Sequence, residues 1–245
     1  MIENIAAYHF TPIEDADALV ARLHASAVAH ALKGSVLVAD EGINLFLAGP
    51  RAEIDAFLDD LRGDARFRDL VVKRSRSAGV PFARLKVRRK AEIIRFRRDE
   101  ASPLGRRAPA LAPDVLRRWI EQGADDEGRR LVLLDTRNRE EVAHGSFGGA
   151  LTLPITSFGE FPDAVAAHRD ELAGATVVSF CTGGIRCEKA ALWMQDNGFE
   201  RVWQLDGGIL GYFEQVGGDG YEGDCFVFDG RIALDSTLAP LVDTD

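Results

Sequence analysis

The residue best suited to chemistry in this sequence is Cys181, which opens a short loop between an apolar run and a helical pattern. The run Thr176–Phe180 predicts a strand buried on both faces, and two glycines after Cys181 permit a tight turn. Backbone N–H groups in such a turn, and a nearby arginine, would stabilise the nucleophilic thiolate. We therefore predict that Cys181 is catalytic and that the residues after it cradle an anion. These loop residues are Thr182, Gly183, Gly184, Ile185 and Arg186.

The other two cysteines have weaker claims to chemistry. Cys187 directly follows the loop and could resolve an oxidised or persulfidated Cys181 as a disulfide, or could simply pack in the first turn of the helix. Cys225 precedes Phe226 and Val227, which favours a place in a core. Three cysteines without CxxC spacing, and five histidines without HxxxH spacing, predict neither a disulfide framework nor a metal site.

The first 95 residues predict a ferredoxin-like domain with the element order β-α-β-β-α-β. Strands are expected at 5–10, 35–39, 43–48, 70–73 and 87–95, and helices at 15–32 and 51–62. The apolar spacing of the first helix predicts that Leu19, Leu23, Val28 and Leu32 face the core, with Gly34 capping its end.

The rest of the chain predicts a parallel-sheet α/β domain. Residues 96–125 are expected to form a linker and a helix, 126–220 the second domain, and 221–245 a C-terminal tail. Strands at 131–134, 176–180 and 202–205 and a helix at 188–197 suit a parallel sheet with right-handed crossovers. Ligands of such sheets sit at the carboxyl ends of strands, which is where Cys181 is placed.

Charge is unevenly distributed along the chain. The net charge is −9, yet the segment 73–107 holds 13 Lys/Arg and only three acids. Such a basic band is either a solvated face or a surface that contacts phosphates. The first candidates for nucleic-acid contact are Lys86, Arg88, Arg89 and Lys90. Strand alternation would place Lys86, Arg88 and Lys90 on one face.

The Cys181 loop and its flanking motifs resemble the rhodanese superfamily. The segment DTRNREEVAHGSFGGALTLP from Asp135 resembles that superfamily's first signature, and LDGGI at 205–209 resembles a turn near the end of its domain. Asp135 and Arg137 are expected to support the site, by capping a helix and pairing with acids such as Glu140. Ser146 stands where many relatives have histidine. Arg186 lies five residues after Cys181, whereas rhodanese-like phosphatases have one residue more, so a persulfide-sized cradle is favoured over a phosphatase.

Over nearly the whole chain the sequence resembles the bacterial oxygen-dependent tRNA uridine-34 hydroxylases. The motifs that carry this resemblance are EGIN from Glu41, FARLKV from Phe82, EII from Glu92, CTGGIRCEKA from Cys181 and CFVFD from Cys225. The resemblance implies an acylphosphatase-like N-terminal domain, a rhodanese-like catalytic domain and a catalytic cysteine at Cys181. It further implies that wobble uridine in tRNA is converted to 5-hydroxyuridine, with dioxygen as co-substrate and a reductant that is not identified.

Two other functions stay open. A rhodanese-type sulfurtransferase would pass sulfur from a Cys181 persulfide to an acceptor, and a non-catalytic binding module would use an inactivated fold. No flavin, haem or metal motif is present, so no cofactor is predicted. The N-terminus lacks a secretory signal pattern and no apolar run is long enough for a membrane span, so we expect a cytoplasmic protein with tRNA as its partner and no membrane partner.

Overall fold

The computed structural model describes residues 1–242 and divides the chain into two compact units. The first comprises Met1–Arg95 with Phe228–Ile232 and residues 239–242, and the second comprises Phe96–Val227 with Ala233–Leu238. Among the described residues no helix combines the length and the apolar character that a membrane crossing requires.

The first unit is a five-stranded sheet with two helices, and it confirms the predicted ferredoxin-like fold. Its elements are β1 (Ile2–Phe10), α1 (Ala16–Ala29), β2 (Lys33–Ala39), β3 (Gly42–Gly49), α2 (Arg51–Arg62), β4 (Val72–Ser77) and β5 (Leu85–Arg89). The strand order is β4-β1-β3-β2-β5. Strands β1 to β4 form the antiparallel βαββαβ sheet, and β5 adds an edge strand parallel to β2.

The strands predicted at 70–73 and 87–95 are displaced, since β4 begins at Val72 and β5 ends at Arg89. The core of this unit lies between the sheet and its helices, and two further details, both at α1, differ from the sequence prediction. Val28 is 57% exposed, and Ala27, one residue earlier, is fully buried, because the core face of α1 follows a spacing of four from Leu19 and Leu23. Gly34 does not cap α1. It lies inside β2 at φ +135, where a Cβ would meet the Phe46 carbonyl oxygen at 2.0 Å.

The second unit contains the predicted parallel sheet, with helices as crossovers. Its strands are β6 (Ala110–Leu111), β7 (Leu131–Asp135), β8 (Gly145–Phe147), β9 (Leu151–Thr152), β10 (Thr176–Phe180), β11 (Val202–Leu205), β12 (Tyr221–Gly223), β13 (Cys225–Phe226) and β14 (Ala233–Leu234). Its helices are α3 (Pro113–Gln122), α4 (Arg139–Val142), α5 (Phe161–Ala166), α6 (Arg169–Leu172), α7 (Ile185–Asp196) and α8 (Gly208–Val216). The main sheet has the order β6-β11-β10-β7-β9, so β10 is its central strand.

The segments outside the two predicted domains have definite places in the fold. Within 96–125, β6 joins the edge of the parallel sheet and α3 packs against α8. Within 221–242, β12 pairs with β8 in the second unit, while Asp229 and Arg231 form a buried ion pair in the first. Arg231 also donates a 2.6 Å hydrogen bond to the Ser75 hydroxyl of β4.

Candidate active site

Cys181 follows the central strand of the parallel sheet, at the edge where the neighbouring strand β7 also ends. Thr136, which follows β7, donates its backbone N–H and its hydroxyl to the Phe180 carbonyl, both at 3.0 Å. Gly184 adopts φ +101, which a residue with a Cβ rarely adopts, and α7 begins at Ile185. The helix therefore starts three residues earlier than predicted, and its first N–H groups belong to the loop.

The surroundings of Cys181 favour its thiolate. The side chain is fully buried, and burial alone would raise the pKa of a thiol. The Cys187 thiol, the Arg186 guanidinium and the N–H groups of Arg186 and Gly184 outweigh that effect and hold the pKa of Cys181 well below its usual value. The Gly184 N–H lies 3.1 Å from Cys181 Sγ.

The surroundings of Cys187 have the opposite effect and favour its neutral thiol. Burial and the neighbouring Cys181 sulfur raise the pKa of Cys187 well above the usual thiol value. Its Sγ also lies 3.8 Å from the Thr136 hydroxyl oxygen. The pair can therefore hold one proton between two sulfurs, with the Cys187 S–H donating to the Cys181 thiolate.

Arg186 is fixed by a carboxylate that is distant in sequence. Its two terminal nitrogens each donate a 2.6 Å hydrogen bond to Glu141, and both side chains are buried. Glu141 is itself held at the start of α4, where its Oε2 accepts the Asn138 N–H at 3.1 Å. This two-pronged contact fixes the orientation of the guanidinium beside the loop.

A second buried ion pair, between Asp135 and Arg137, lies at the end of β7. Arg137 Nη2 donates to Asp135 Oδ2 at 2.7 Å and to the Gly145 carbonyl at 2.6 Å. The Ser146 hydroxyl donates to Asp135 Oδ2 at 2.8 Å. The expected pairing with Glu140 is wrong: Glu140 is exposed, and Asp135 itself supplies the carboxylate that Arg137 needs.

The turn before α8 closes over the backbone of the loop. The N–H groups of Ile209 and Leu210 donate to the Cys181 and Thr182 carbonyls at 2.9 and 3.0 Å. Gly208, at φ +63, comes so close that a Cβ there would meet the Cys181 carbonyl oxygen at 2.5 Å. The second glycine of the LDGGI motif is thus required by this approach.

Two buried polar atoms of the loop have no hydrogen-bond partner among the described residues: Arg186 Nε and Thr182 Oγ1. Cys225, whose pKa is raised to about 12 by burial, lies near the Thr182 hydroxyl and Arg137. It is therefore a neutral thiol beside the loop. Buried unpartnered donors are uncommon in folded proteins, and here they suit a ligand that brings its own acceptor.

Comparisons with known proteins match both units. Residues 2–93 match the UPF0176 acylphosphatase like domain, and residues 112–215 match the rhodanese-like domain. A tRNA uridine(34) hydroxylase of Xanthomonas euvesicatoria is 64% identical over all of this chain and 99% of its own length. The chain belongs to the tRNA uridine(34) hydroxylase family. The tRNA uridine(34) hydroxylase of Xylella fastidiosa is 58% identical over 99% of this chain and 95% of its own length. A solved rhodanese-like domain from Anabaena is 22% identical, covers 56% of this chain and 88% of its own, and has a TM-score of 0.39.

Away from the loop, the basic residues predicted to contact nucleic acid lie on β5 and just after it. They differ in whether they form ion pairs. Lys86 and Arg88 of β5 are exposed on the face opposite Leu85 and Val87, which pack on the core. The predicted alternation is therefore confirmed for this pair. Arg89 differs, because it forms exposed ion pairs with Asp17 and Asp40. Lys90 is exposed just beyond the end of β5.

The family motifs EGIN and EII are joined in the first unit. Glu41 Oε1 accepts the Ile93 N–H at 2.8 Å, and Asn44 donates its side-chain amide to the Ile93 carbonyl at 3.2 Å. Both contacts hold the chain that follows β5 against the β2–β3 hairpin.

The sequence did not identify Glu141, Tyr221 or Gly208 as residues that shape the site around Cys181. The spacing of Asn138 and Glu141 matches a capping box, which could have shown that Glu141 is held in place. Tyr221, which donates to the Gly145 carbonyl at 2.9 Å, carried no local signal because its partner is 76 residues away.

Proposed function

We propose that this protein hydroxylates uridine 34 of tRNA to 5-hydroxyuridine, using dioxygen and a cellular reductant, with Cys181 as the catalytic residue. The observation that carries the proposal is a buried cysteine at the carboxyl end of a central strand, with the Gly184 N–H 3.1 Å from its sulfur, in a chain of the tRNA uridine(34) hydroxylase family. In this proposal residues 1–95 contact tRNA and residues 126–220 carry the chemistry, in the cytoplasm.

The role of the thiolate follows from its nucleophilicity. Attack of Cys181 Sγ on C6 of the uracil ring forms a C–S bond and moves the electron pair of the C5–C6 double bond towards C5. The activated C5 then takes an oxygen atom from an electrophilic species derived from dioxygen, whose second oxygen leaves as water after two-electron reduction. Loss of the C5 proton expels the thiolate and restores the aromatic ring.

The rest of the loop is proposed to bind the ring and stabilise negative charge. Thr182 Oγ1 and Arg186 Nε offer two buried donors, and the turn formed by Gly183, Gly184 and Ile185 lets the backbone approach the ligand. Addition of sulfur at C6 places negative charge on the ring, and donors already in position stabilise such charge without reorganisation. Asp135 and Arg137 would hold the end of β7 in place beside the loop, and so keep the loop rigid.

Cys187 is proposed as the resolving thiol of an oxidised Cys181. Hydrogen peroxide would oxidise the Cys181 thiolate to a sulfenic acid, and attack by Cys187 sulfur would then form a disulfide and release water. Each thiol shifts the pKa of the other, as expected for a neighbouring pair. After peroxide treatment, Cys187→Ala should retain one added oxygen atom on Cys181 by mass spectrometry, whereas the wild type should lose two hydrogen atoms. Equal sulfenic acid in both proteins would contradict this role.

Three exposed cations are proposed to contact tRNA phosphates: Lys86, Arg88 and Lys90. They project from or follow one edge strand, and within residues 1–242 none of them forms an ion pair. Arg89 is left out because Asp17 and Asp40 already compensate its charge.

A sulfurtransferase is the second candidate, favoured by the short N–H-lined turn that follows a reactive cysteine in a rhodanese-like domain. In that reaction a donor would leave one sulfur atom on Cys181, and an acceptor nucleophile would remove it. It predicts a mass gain of one sulfur after incubation with thiosulfate, and unchanged tRNA nucleosides in a strain without the protein.

Nucleoside mass spectrometry of tRNA from a deletion strain tests the proposal. Parallel strains would carry the wild type, Cys181→Ser or Cys225→Ser. We expect 5-hydroxyuridine and its derivatives to be lost in the deletion strain and restored by the wild type and Cys225→Ser, but not by Cys181→Ser. Full restoration by Cys181→Ser would contradict the role of the thiolate, and unchanged 5-hydroxyuridine in a deletion strain without a parallel pathway would contradict the function.

A further inference from the structure

The sheet of the first unit has one face that its own helices do not cover. The core side chains of the central strands alternate with a second set that points away from α1 and α2. In β3, for example, Ile43, Leu45 and Leu47 belong to the core, and Asn44 and Phe46 lie on the other face. We call this second side the helix-free face.

The strand register places chemically distinct residues in rows across the helix-free face. One row runs from β1 to β5 through Ala6, Phe46, Ser35 and Lys86. The next row, two residues along, consists of Tyr8, Asn44, Leu37 and Arg88. Neighbouring strands lie about 4.8 Å apart, so Phe46 and the cations of β5 are separated by roughly 10 Å.

The strand residues that project from this face carry charges of a single sign, and at its β4 edge the buried Asp229–Arg231 pair packs on it through the hydrogen bond from Arg231 to the Ser75 hydroxyl. Four cations project from the face and none of its strand residues in β1 to β5 is acidic; the cations are Lys33, Lys73, Lys86 and Arg88. Glu3, the one acid in β1, lies on the other side, where it pairs with Arg74. Lys33, Lys86 and Arg88 are exposed, Phe46 and Leu37 are half-buried, and Asn44 is buried with its amide on the Ile93 carbonyl.

A flat aromatic ring among cations suits a polyanion that carries flat rings of its own. Single-stranded RNA meets this description, because its bases stack on aromatic side chains and its phosphates bind lysine and arginine. RNA-recognition motifs use a four-stranded sheet in this way, with aromatic side chains that stack on two or three bases. Here too the aromatic residues stand on adjacent central strands: Tyr8 on β1 and Phe46 on β3 lie diagonally across the register.

We propose that the helix-free face binds unpaired nucleotides of the tRNA anticodon loop, with one base stacked on Phe46 and phosphates on Lys86 and Arg88. This inference rests on the proposed tRNA substrate and adds the mode of binding. Stacking tolerates any base, so the face would supply affinity and position the loop without choosing its sequence. The choice of uridine would then belong to the Cys181 loop.

Binding of a fluorescent anticodon stem-loop RNA to the full chain, measured over a series of salt concentrations, tests the inference. Phe46→Leu keeps the apolar bulk and removes the ring, so affinity should fall about 5- to 150-fold with the salt dependence unchanged. Phe46→Tyr keeps the ring and should retain most of the affinity. Lys86→Gln combined with Arg88→Gln should reduce the slope of log affinity against log salt by about 1.4, the value for two phosphate contacts with single-stranded RNA.

A matched control is available on the same unit. Arg68 is exposed, and in the described part of the chain it forms no ion pair and does not belong to the helix-free face. Arg68→Gln should therefore leave both affinity and slope as in the wild type. A fully paired RNA duplex of equal length should be bound equally by the wild type and Phe46→Leu, because its bases cannot stack on the ring.

The outcomes separate this inference from the proposed function. One outcome is that the wild type binds the stem-loop and restores 5-hydroxyuridine in cells while Phe46→Leu binds as tightly as the wild type. In that outcome no base stacks on Phe46 of the helix-free face, and the hydroxylase proposal stands. A salt slope for the double variant equal to that of Arg68→Gln would also overturn the inference. A wild type that neither binds the stem-loop nor restores 5-hydroxyuridine would overturn both.

Discussion

The two units use cationic side chains in opposite ways. In the second unit Arg137 and Arg186 are buried, and each donates hydrogen bonds from two guanidinium nitrogens to one carboxylate. In the first unit Lys86 and Arg88 are exposed at a sheet edge and form no ion pair within residues 1–242. Buried charges act strongly and are little screened by salt, but removing one partner is costly. Exposed charges contribute little to stability and remain available to a partner.

The largest expected effect is on stability, when one partner of a buried pair is removed. Asp135→Ala leaves the guanidinium of Arg137 buried without a carboxylate, so the free energy of unfolding should fall by about 3–5 kcal/mol. Asp17→Ala, which removes an exposed partner of Arg89, is the control and should leave the free energy of unfolding unchanged. Urea denaturation measures both, and equal losses would remove the distinction between the two sets of cations.

The second effect concerns the shape of the Cys181 loop. Gly208→Ala should lower the rate of Cys181 alkylation by about 100-fold, because the new Cβ displaces the loop backbone. Gly149 has a similar φ of +70 but open space around it, so Gly149→Ala carries the same backbone strain without touching the loop. Alkylation as slow in Gly149→Ala as in Gly208→Ala would assign the effect to strain alone.

The third prediction separates the thiols near the loop. Cys187→Ala removes the S–H that donates to Cys181, so the midpoint of the pH profile for Cys181 alkylation should move to higher pH. Cys225→Ala removes a neutral thiol that is not among the groups that set the pKa of Cys181, and its profile should match the wild type. Matching profiles for Cys187→Ala and the wild type would show that the bond between the two thiols is absent.

The smallest effect distinguishes adjacent cations on β5. Arg88→Gln should reduce the salt slope of RNA binding by about 0.7, whereas Arg89→Gln should leave it almost unchanged. The reason is that Asp17 and Asp40 already compensate the Arg89 charge. Equal slopes for the two variants would indicate that charge alone, irrespective of pairing, governs RNA binding.

These contrasts also show what the sequence could predict. The Cys181 loop is local: a strand, two glycines, an arginine and a helix adjoin in the chain, and the structure keeps that order. The helix-free face follows from alternation once the strands are known. The partners of the loop come from elsewhere, since Glu141 lies 45 residues from Arg186 and only tertiary folding brings them together.

Two errors have local physical causes. In α1 the small side chain of Ala27 gives a weak hydrophobic signal, so the larger Val28 was the apparent core residue although Ala27 fills that position. Gly34 has the type expected at a helix end, but its conformation serves the close approach of β3. For Gly34, the residue type correctly indicated an unusual backbone conformation. It did not indicate that a strand, and not a helix end, requires that conformation.

The pH dependence of Cys181 alkylation tests most directly whether the buried loop holds a thiolate. The reaction rate with a small alkylating reagent follows the thiolate fraction, and an ordinary thiol loses reactivity as the pH falls below about 8.5. Because the pKa of Cys181 is lowered, its reactivity should persist well below that pH and decline only in more acidic solution. In Arg186→Met, which lacks the nearby positive charge, the decline should begin at higher pH. A wild-type midpoint at or above the ordinary thiol value would contradict the account.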